Sequence, residues 1–153
     1  MNMENCGADN LTSGKKGIEY YSEVIAELEK ECFPEDSWSR ESVMSSLKRD
    51  DIIYLVNFVD GRAMGYFLAA ASYGTAELYR IAVLPTFRGQ GKGERLMKSF
   101  LRYLPKDTEK VYLEVRESNK AAIGLYEKFG FQKIGERKNY YGNENGLIFI
   151  LNV

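Results

Sequence analysis

The sequence contains no histidine, and this absence excludes several classes of enzyme. Without an imidazole, neither a Ser-His nor a Cys-His nucleophilic pair can form, and no histidine can bind a metal ion. The two cysteines, Cys6 and Cys32, are too few for a disulfide framework, lack metal-ligand spacing and have no activating neighbours in the sequence. We therefore expect no metal, and acid–base chemistry based on Asp, Glu, Tyr, Lys, Cys or water.

Long apolar runs are also missing. No stretch approaches the roughly 20 apolar residues of a membrane span, and residues 1–17 lack the apolar core of a signal peptide. We therefore expect a cytoplasmic protein without a membrane partner. The net charge of −1 argues against a nucleic-acid partner.

The charge is unevenly distributed along the chain. Residues 1–80 carry 8 Lys and Arg against 14 Asp and Glu, whereas residues 81–153 carry 13 against 8. The acidic half could attract a cationic partner, or the two halves could simply form solvated faces.

The chain is long enough for one domain with a sizeable core. Its 153 residues are 44% apolar and 13% aromatic, as in a folded globular protein. We expect residues 1–16 to be a disordered tail and residues 17–153 to form the domain. Apolar periodicity predicts the order helix, helix, hairpin, strand, helix, strand, helix and two strands. This order predicts an α/β (mixed α+β) fold with a central twisted mixed sheet and helices on both faces.

Several local signals place the ends of these elements. Ser39 is a good N-cap for the second helix. Asp60-Gly61 is a strong turn signal between strands predicted at 52–59 and 64–71. Gly130 is suited to end the last helix.

Residues 79–104 contain the most informative pattern: an apolar strand, a glycine loop and an amphipathic helix. Such a loop presents bare backbone N–H groups at a helix N-terminus, where the macrodipole favours negative charge. Arg88 and Lys92 add two cations there. The pattern predicts a site for a phosphate-bearing ligand such as a pyrophosphate, with a flexible turn as the alternative.

The spacing within this loop narrows the choice of ligand. No Ser or Thr follows Lys92, which excludes a Walker loop, and the third glycine comes one residue too early for a dinucleotide fingerprint. The observed spacing is Arg-x-x-Gly-x-Gly, formed by Arg88, Gly91 and Gly93 after Ile-Ala-Val. It resembles the coenzyme A loop of the GNAT acetyltransferase superfamily.

Two further regions strengthen the resemblance. Residues 113–131 (LEVRESNKAAIGLYEKFGF) are similar to the second signature half of GNAT proteins. Phe33-Pro34 followed by Trp38-Ser39, and Arg137-x-Asn139-Tyr140-Tyr141, resemble the peptide-binding loop and final hairpin of the RimI type, the bacterial ribosomal-protein-alanine N-acetyltransferases. The similarity covers residues 17–153.

The resemblance implies acetyl-CoA as donor, a primary amine as acceptor, and a cofactor-binding strand that splays from its neighbour. Backbone groups of the strand would bind the acetyl and pantetheine parts, with the Val83 N–H polarising the thioester carbonyl. Asn119 would touch the coenzyme. The remaining residues implied to contact it are Ile81 and Ala82 on the strand, and Arg88, Gly89, Gln90, Gly91, Lys92 and Gly93 around the pyrophosphate.

Glu114 and Tyr126 are the candidate catalytic residues. Glu114 interrupts an apolar strand and would be a stronger base if partly buried in the cleft, but strand alternation equally allows it to face solvent. Tyr126 lies on the apolar stripe of its helix, where a purely structural tyrosine is common. The resemblance implies that Glu114 is the general base, directly or through water, and that Tyr126 protonates the leaving thiolate.

The acceptor is less defined by the sequence. Trp38, Tyr140 and Tyr141 resemble residues that hold a protein N-terminus, although Trp38 could be core packing and the tyrosines could pair across a hairpin. The loop before Trp38 is longer than in the most compact RimI-type proteins, the loop after Tyr141 lacks a proline, and Arg80 stands where a small or uncharged residue is usual. Arg80 could select a substrate with an acidic feature.

Three functions therefore stay open: N-terminal acetylation of a protein such as a ribosomal protein, acetylation of a small amine such as an amino acid, polyamine or aminoglycoside, and non-catalytic acyl-CoA binding. Glu114 and Tyr126 argue against the third function, and the aromatic loop residues favour the first over the second. We expect a monomer or homodimer.

Overall fold

The computed structural model describes residues 15–153; Cys6 and the predicted tail up to residue 14 lie outside the described residues. The helices and strands follow the predicted order. They are α1 (Lys15–Cys32), α2 (Arg40–Leu47), β1 (Ile52–Val59), β2 (Arg62–Ser72), β3 (Thr75–Val83), a short 3₁₀ helix (Pro85–Phe87), α3 (Lys92–Tyr103), β4 (Lys110–Arg116), α4 (Lys120–Lys128), β5 (Gln132–Arg137) and β6 (Gly146–Asn152).

The six strands form one sheet in the order β1-β2-β3-β4-β6-β5. β3 pairs in parallel with β4, whereas β6 pairs antiparallel with both β4 and β5. The sheet is therefore mixed, as predicted. The chain divides into two compact units, and the boundary passes through both β2 and β3. The first unit comprises the described residues up to Ala69 with Arg80–Tyr103, and the second comprises Ala70–Tyr79 with Leu104–Val153.

The first unit is built on α1, α2, β1, most of β2, the end of β3 and α3. Ser39 caps α2, because its hydroxyl accepts the N–H of Ser42 at 3.1 Å. Asp60 and Gly61 have φ of +50° and +77°, the conformation of a tight hairpin turn between β1 and β2. The fully buried apolar residues of the first unit include Ile25, Val43, Leu55, Val56, Phe67, Leu68, Leu96, Met97 and Phe100.

The second unit is organised around β4. Its parallel ladder with β3 runs from Thr75↔Lys110 to Leu78↔Leu113. β3 continues beyond this ladder to Val83, a feature expected of the predicted splayed strand. On its other edge, β4 pairs with β6 along its whole length. Gly130 has φ of +93° directly after α4, as predicted for a residue that ends the helix.

Candidate active site

The loop after β3 contains two glycines in a conformation that other residues rarely adopt. Gly89 and Gly91 both have φ of +75°. No heavy atom outside their immediate neighbours lies within 4 Å of the position that a Cβ would take on either glycine, so the space beside the loop is open. The Gly91 carbonyl accepts the N–H of Arg95 at 3.2 Å at the start of α3. Exposed glycine backbone therefore leads into a helix N-terminus, an arrangement that fits a phosphate group.

The two cations predicted for this loop are placed differently. Arg88 is exposed, whereas Lys92 is only 5% exposed. The Arg88 Nε donates to the carbonyl oxygen of Val83 at 2.9 Å, which connects the loop to the end of β3. Burial raises the pKa of the nearby Cys32 thiol, and the charge of Arg88 partly opposes this effect. Arg88 is thus the more accessible of the two cations.

The strand segment predicted to hold the donor is in close contact with β2. A Cβ on Gly65 would stand 2.4 Å from the carbonyl oxygen of Ala82. Just beyond, the N–H of Leu84 donates to the Met64 carbonyl at 2.8 Å. The absence of a side chain at Gly65 therefore sets the course of Ala82 and its neighbours.

A buried carboxylate in the first unit was not predicted. Glu29 on α1 is fully buried. It accepts the hydroxyl of Tyr66 and, at 2.9 Å, the N–H of Trp38, while the Arg80 Nε lies 3.2 Å from its Oε1. Burial, followed by the charge of Glu29, holds the pKa of Tyr66 well above its usual value. Two hydrogen-bond donors, Tyr66 and Trp38, and the positive charge of Arg80 compensate for the cost of burying the carboxylate.

Arg80 joins this carboxylate to the loop between α1 and α2. Its Nη2 donates to the carbonyl oxygen of Asp36 at 2.9 Å. Its guanidinium carbon lies 4.1 Å from the ring centre of Phe33 and 4.6 Å from that of Trp38, distances typical of cation–π contacts. The charge of Arg80 is therefore matched inside the protein.

The sequence carries a partial signal for this cluster. Glu29 follows Ile25 by four positions, so it occupies the apolar stripe of α1, and Arg80 interrupts an apolar strand. Buried charges at such positions need partners. Their pairing with each other could not be read from residues so far apart in the chain.

Glu114 lies on the face of β4 opposite the buried Leu113 and Val115, and its side chain is 22% exposed. The Arg137 Nη2 lies 3.0 Å from its Oε1. Its Oε2 is buried and has no hydrogen-bond partner among the described residues. A carboxylate oxygen in this position can accept a proton or a bound water.

Tyr126 is buried, with 6% exposure, on the apolar side of α4. Its ring centre lies 5.8 Å from that of Phe131 and 6.4 Å from that of Phe149. The ring therefore has the packing role considered above. The acid role of its hydroxyl stays a prediction.

Asn119 is the N-cap of α4. Its Oδ1 accepts the N–H of Ala122 at 3.2 Å. The cap uses one of the two lone pairs of Oδ1, and the side-chain amide nitrogen is the donor that Asn119 could offer a coenzyme.

Tyr140 and Tyr141 lie in the loop between β5 and β6. Their ring centres are 5.0 Å apart and nearly perpendicular, so the two rings pack on each other. The guanidinium of Arg137 lies 5.2 Å from the Tyr140 ring, and that of Arg116 lies 4.3 Å from the Tyr141 ring. Tyr140 is 54% exposed, which leaves it accessible to a ligand.

Charged groups also hold the loop between β5 and β6 in place. The Glu144 carboxylate accepts both the hydroxyl of Ser118, at 2.7 Å, and the backbone N–H of Ser118, at 3.2 Å. These hydrogen bonds, with the charge of Arg116, lower the pKa of Glu144. The loop after Tyr141 is therefore tied to the segment between β4 and α4.

Within residues 15–153, no group of three or more His, Cys, Asp or Glu side chains is placed to hold a metal ion. No helix in this described part of the chain is long and apolar enough to cross a membrane.

The strand, glycine loop and helix of the first unit, together with the mixed sheet, define an acetyltransferase fold. The model of the acetyltransferase (GNAT) family matches residues 22–131, so the chain belongs to this family. It is an N-acetyltransferase, an acyltransferase that modifies amines.

Individual relatives show which kinds of acetyltransferase the chain is similar to. The chain is 39% identical to a Bacillus subtilis (strain 168) protein provisionally named a ribosomal protein bS18-alanine N-acetyltransferase, over 80% of this chain and 81% of that one. It is 34% identical to the N-alpha-acetyltransferase RimI of Mycobacterium tuberculosis, over 76% and 75% of the two chains. The crystal structure of the ribosomal-protein-S18-alanine N-acetyltransferase from Escherichia coli matches with a TM-score of 0.80 at 26% identity, over 92% and 90% of the chains.

Proposed function

We propose that this chain transfers the acetyl group of acetyl-CoA to the N-terminal α-amine of a protein, with the N-terminal alanine of a ribosomal protein as the first candidate. The observation that carries this proposal is the similarity, over most of both chains, to proteins named for that acceptor. The aromatic loop residues are compatible with a peptide, because their rings offer apolar surface beside an extended chain.

The donor site is assigned to the end of β3 and the loop that follows. The exposed glycine backbone and Arg88 are the groups suited to the pyrophosphate, since backbone N–H groups at a helix N-terminus and a guanidinium both favour phosphate. The backbone N–H of Val83 is the candidate donor to the thioester carbonyl oxygen. Bound acetyl-CoA supplies the activated acetyl group.

Proton transfer is assigned to two residues of the second unit. The acceptor amine must lose a proton before it can attack, and we assign this proton to Glu114, directly or through a water. The thiolate of CoA must gain a proton as it leaves, and we assign this donation to the Tyr126 hydroxyl. The buried Oε2 of Glu114 supports the first assignment.

The acceptor site is assigned to Trp38, Tyr140 and Tyr141. Tyr140 is exposed and lies beside the guanidinium that also contacts Glu114. This arrangement connects an accessible aromatic ring to the proposed base within one unit.

The test is a CoA-release assay with acetyl-CoA and peptides that carry the N-terminus of ribosomal protein bS18. The panel varies the first residue, and a peptide with a blocked α-amine serves as the matched control. We expect turnover with a free N-terminal alanine and none with the blocked peptide.

Amino acids, spermidine and an aminoglycoside are tested in the same assay. Turnover of these amines alone would refute the protein acceptor and leave the acetyltransferase class intact. Tight binding of acetyl-CoA without turnover of any amine would contradict the proposed reaction.

A further inference from the structure

Arg80 contacts two parts of the first unit to which the proposed reaction gives different tasks. It stands directly before Ile81, on the strand assigned to the donor. Its guanidinium lies 4.6 Å from the ring of Trp38, which is assigned to the acceptor. The Arg80 side chain thus connects the strand proposed to bind the donor with the tryptophan proposed to bind the acceptor.

The guanidinium is firmly held in this position. It lies over the Phe33 ring at 4.1 Å, donates to the Asp36 carbonyl at 2.9 Å and lies 3.2 Å from the Glu29 carboxylate. The side chain is only 15% exposed. Turning toward an acidic substrate would break these contacts and leave Glu29 buried without its cation. The sequence alone allowed Arg80 to select an acidic substrate. In the structure, Arg80 is poorly placed for that role, because its guanidinium is already engaged.

Phe33, Asp36 and Trp38 all lie in the loop between α1 and α2, and Glu29 also holds this loop, at Trp38. Its Oε2 accepts the backbone N–H of Trp38 at 2.9 Å, and its Oε1 accepts the hydroxyl of Tyr66. Tyr66 lies in β2 and is itself fully buried. The loop is thus attached to the strands through both the carboxylate and the guanidinium.

We infer that Glu29 and Arg80 are positioning residues that hold the loop of residues 33–38 against β3 and thereby set the affinity for the acceptor. This inference rests on the proposed function. The loop residues would keep their place for an incoming peptide because a buried ion pair and two stacked rings fix them. Neither residue takes part in the transfer of the acetyl group.

The substitution Arg80→Lys tests this inference with little risk to folding. Lysine keeps a cation near Glu29. It lacks the planar guanidinium that stacks on the Phe33 and Trp38 rings, and it lacks the nitrogen that donates to the Asp36 carbonyl. We expect the KM for the alanine peptide to rise about tenfold, which corresponds to a cation–π contact and a hydrogen bond. The KM for acetyl-CoA should change by less than about twofold.

Arg62→Lys is the matched control. Arg62 also lies over an aromatic ring, that of Phe87 at 5.7 Å, but it is exposed and outside this cluster. Its replacement should leave both KM values unchanged. Equal increases in both KM values for Arg80→Lys, or no increase in either, would overturn the inference.

Trp38 provides a second readout that does not depend on activity. It is the only tryptophan, so its fluorescence reports on the loop directly. We expect acrylamide to quench Trp38 more strongly in Arg80→Lys than in the wild type or Arg62→Lys. Unchanged quenching would refute the attachment of the loop by Arg80. A wild-type enzyme that fails to acetylate the peptide would refute the proposed function, whereas the quenching would still decide whether Arg80 holds the loop.

Discussion

Arg137 joins the proposed base to a tyrosine proposed to bind the acceptor: its Nη2 lies 3.0 Å from the Glu114 Oε1, and its guanidinium lies 5.2 Å from the Tyr140 ring. Glu114 and Arg137 come from β4 and β5, which both pair with β6. The second unit therefore brings together a carboxylate, a cation and an exposed aromatic ring. Of these three groups, Arg137 has no catalytic or binding role that the sequence alone predicts.

Replacing Glu114 by glutamine should nearly abolish turnover. The amide keeps the size of the side chain but cannot accept the proton of the amine, and general-base catalysis contributes about 10²- to 10⁴-fold. We expect kcat/KM to fall by at least about 10²-fold in the CoA-release assay. Glu136→Gln, on the exposed strand β5, is the control and should retain full activity. Normal turnover by Glu114→Gln would rule out the base assignment.

Removing the cation beside Glu114 should have a smaller effect. Arg137→Met leaves the carboxylate in place but without its partner, and Tyr140 loses its cation–π contact. We expect activity to fall about two- to fivefold, the size of one partly exposed electrostatic contact. Lys133→Met, which removes another cation of β5, is the comparison. If both substitutions had the same effect, Arg137 would have no particular role in holding Glu114.

Tyr126→Phe separates the packing role of this residue from its proposed acid role. Phenylalanine keeps the ring that packs against Phe131 and Phe149, so thermal unfolding should change little. Loss of the hydroxyl should lower kcat about 10²-fold if it protonates the thiolate. Tyr20→Phe, at an exposed position of α1, is the control. A full kcat for Tyr126→Phe would leave the tyrosine with a structural role alone.

Gly65→Ala should disturb the strand proposed to bind acetyl-CoA, because Gly65 lies on the neighbouring strand β2, close to Ala82. The added methyl group would stand 2.4 Å from the Ala82 carbonyl oxygen, so backbone must move. We expect a loss of stability of about 1–3 kcal/mol from overpacking and a higher KM for acetyl-CoA. Gly124→Ala, on the exposed side of α4 where nothing lies within 4 Å, should instead stabilise the protein by about 0.5–1 kcal/mol. Equal acetyl-CoA KM values for Gly65→Ala and wild type would contradict the role of this contact.

The buried Tyr66 should make the protein sensitive to alkali. Its pKa is raised in the folded state, so the unfolded chain loses this proton first, from about pH 10 upward. Stability from this group is complete below that pH and falls as the pH rises toward the folded pKa, by about 1.4 kcal/mol per pH unit.

Urea unfolding of Tyr66→Phe tests this dependence. At neutral pH, the variant should be less stable by about 1–3 kcal/mol, because Glu29 loses a buried hydrogen bond. Above about pH 10, the difference from wild type should shrink, since the variant has no proton to lose at this position. Tyr73→Phe, at a fully exposed site, should follow the wild type throughout. A constant difference across the pH range would argue against the raised pKa.

Local signals predicted the secondary structure well because they act between near neighbours. Ser39 caps α2 through a residue three positions away, and Asp60-Gly61 forms its turn through its own backbone angles. The glycine loop was identified for the same reason, since its positive φ angles are a property of Gly89 and Gly91 themselves. The family resemblance rests on these local patterns and was confirmed by the match to residues 22–131.

Tertiary structure alone decided which charges meet. The sequence determined the order of helices and strands, the glycine loop and the acetyltransferase family, because each follows from residue types at short spacing. It could not pair Glu29 with Arg80 or Glu114 with Arg137, because each pair is brought together by the packing and register of separate elements. Burial gives the Glu29–Arg80 pair its importance: a carboxylate removed from water needs a cation or donor, and only the folded chain determines which one it finds.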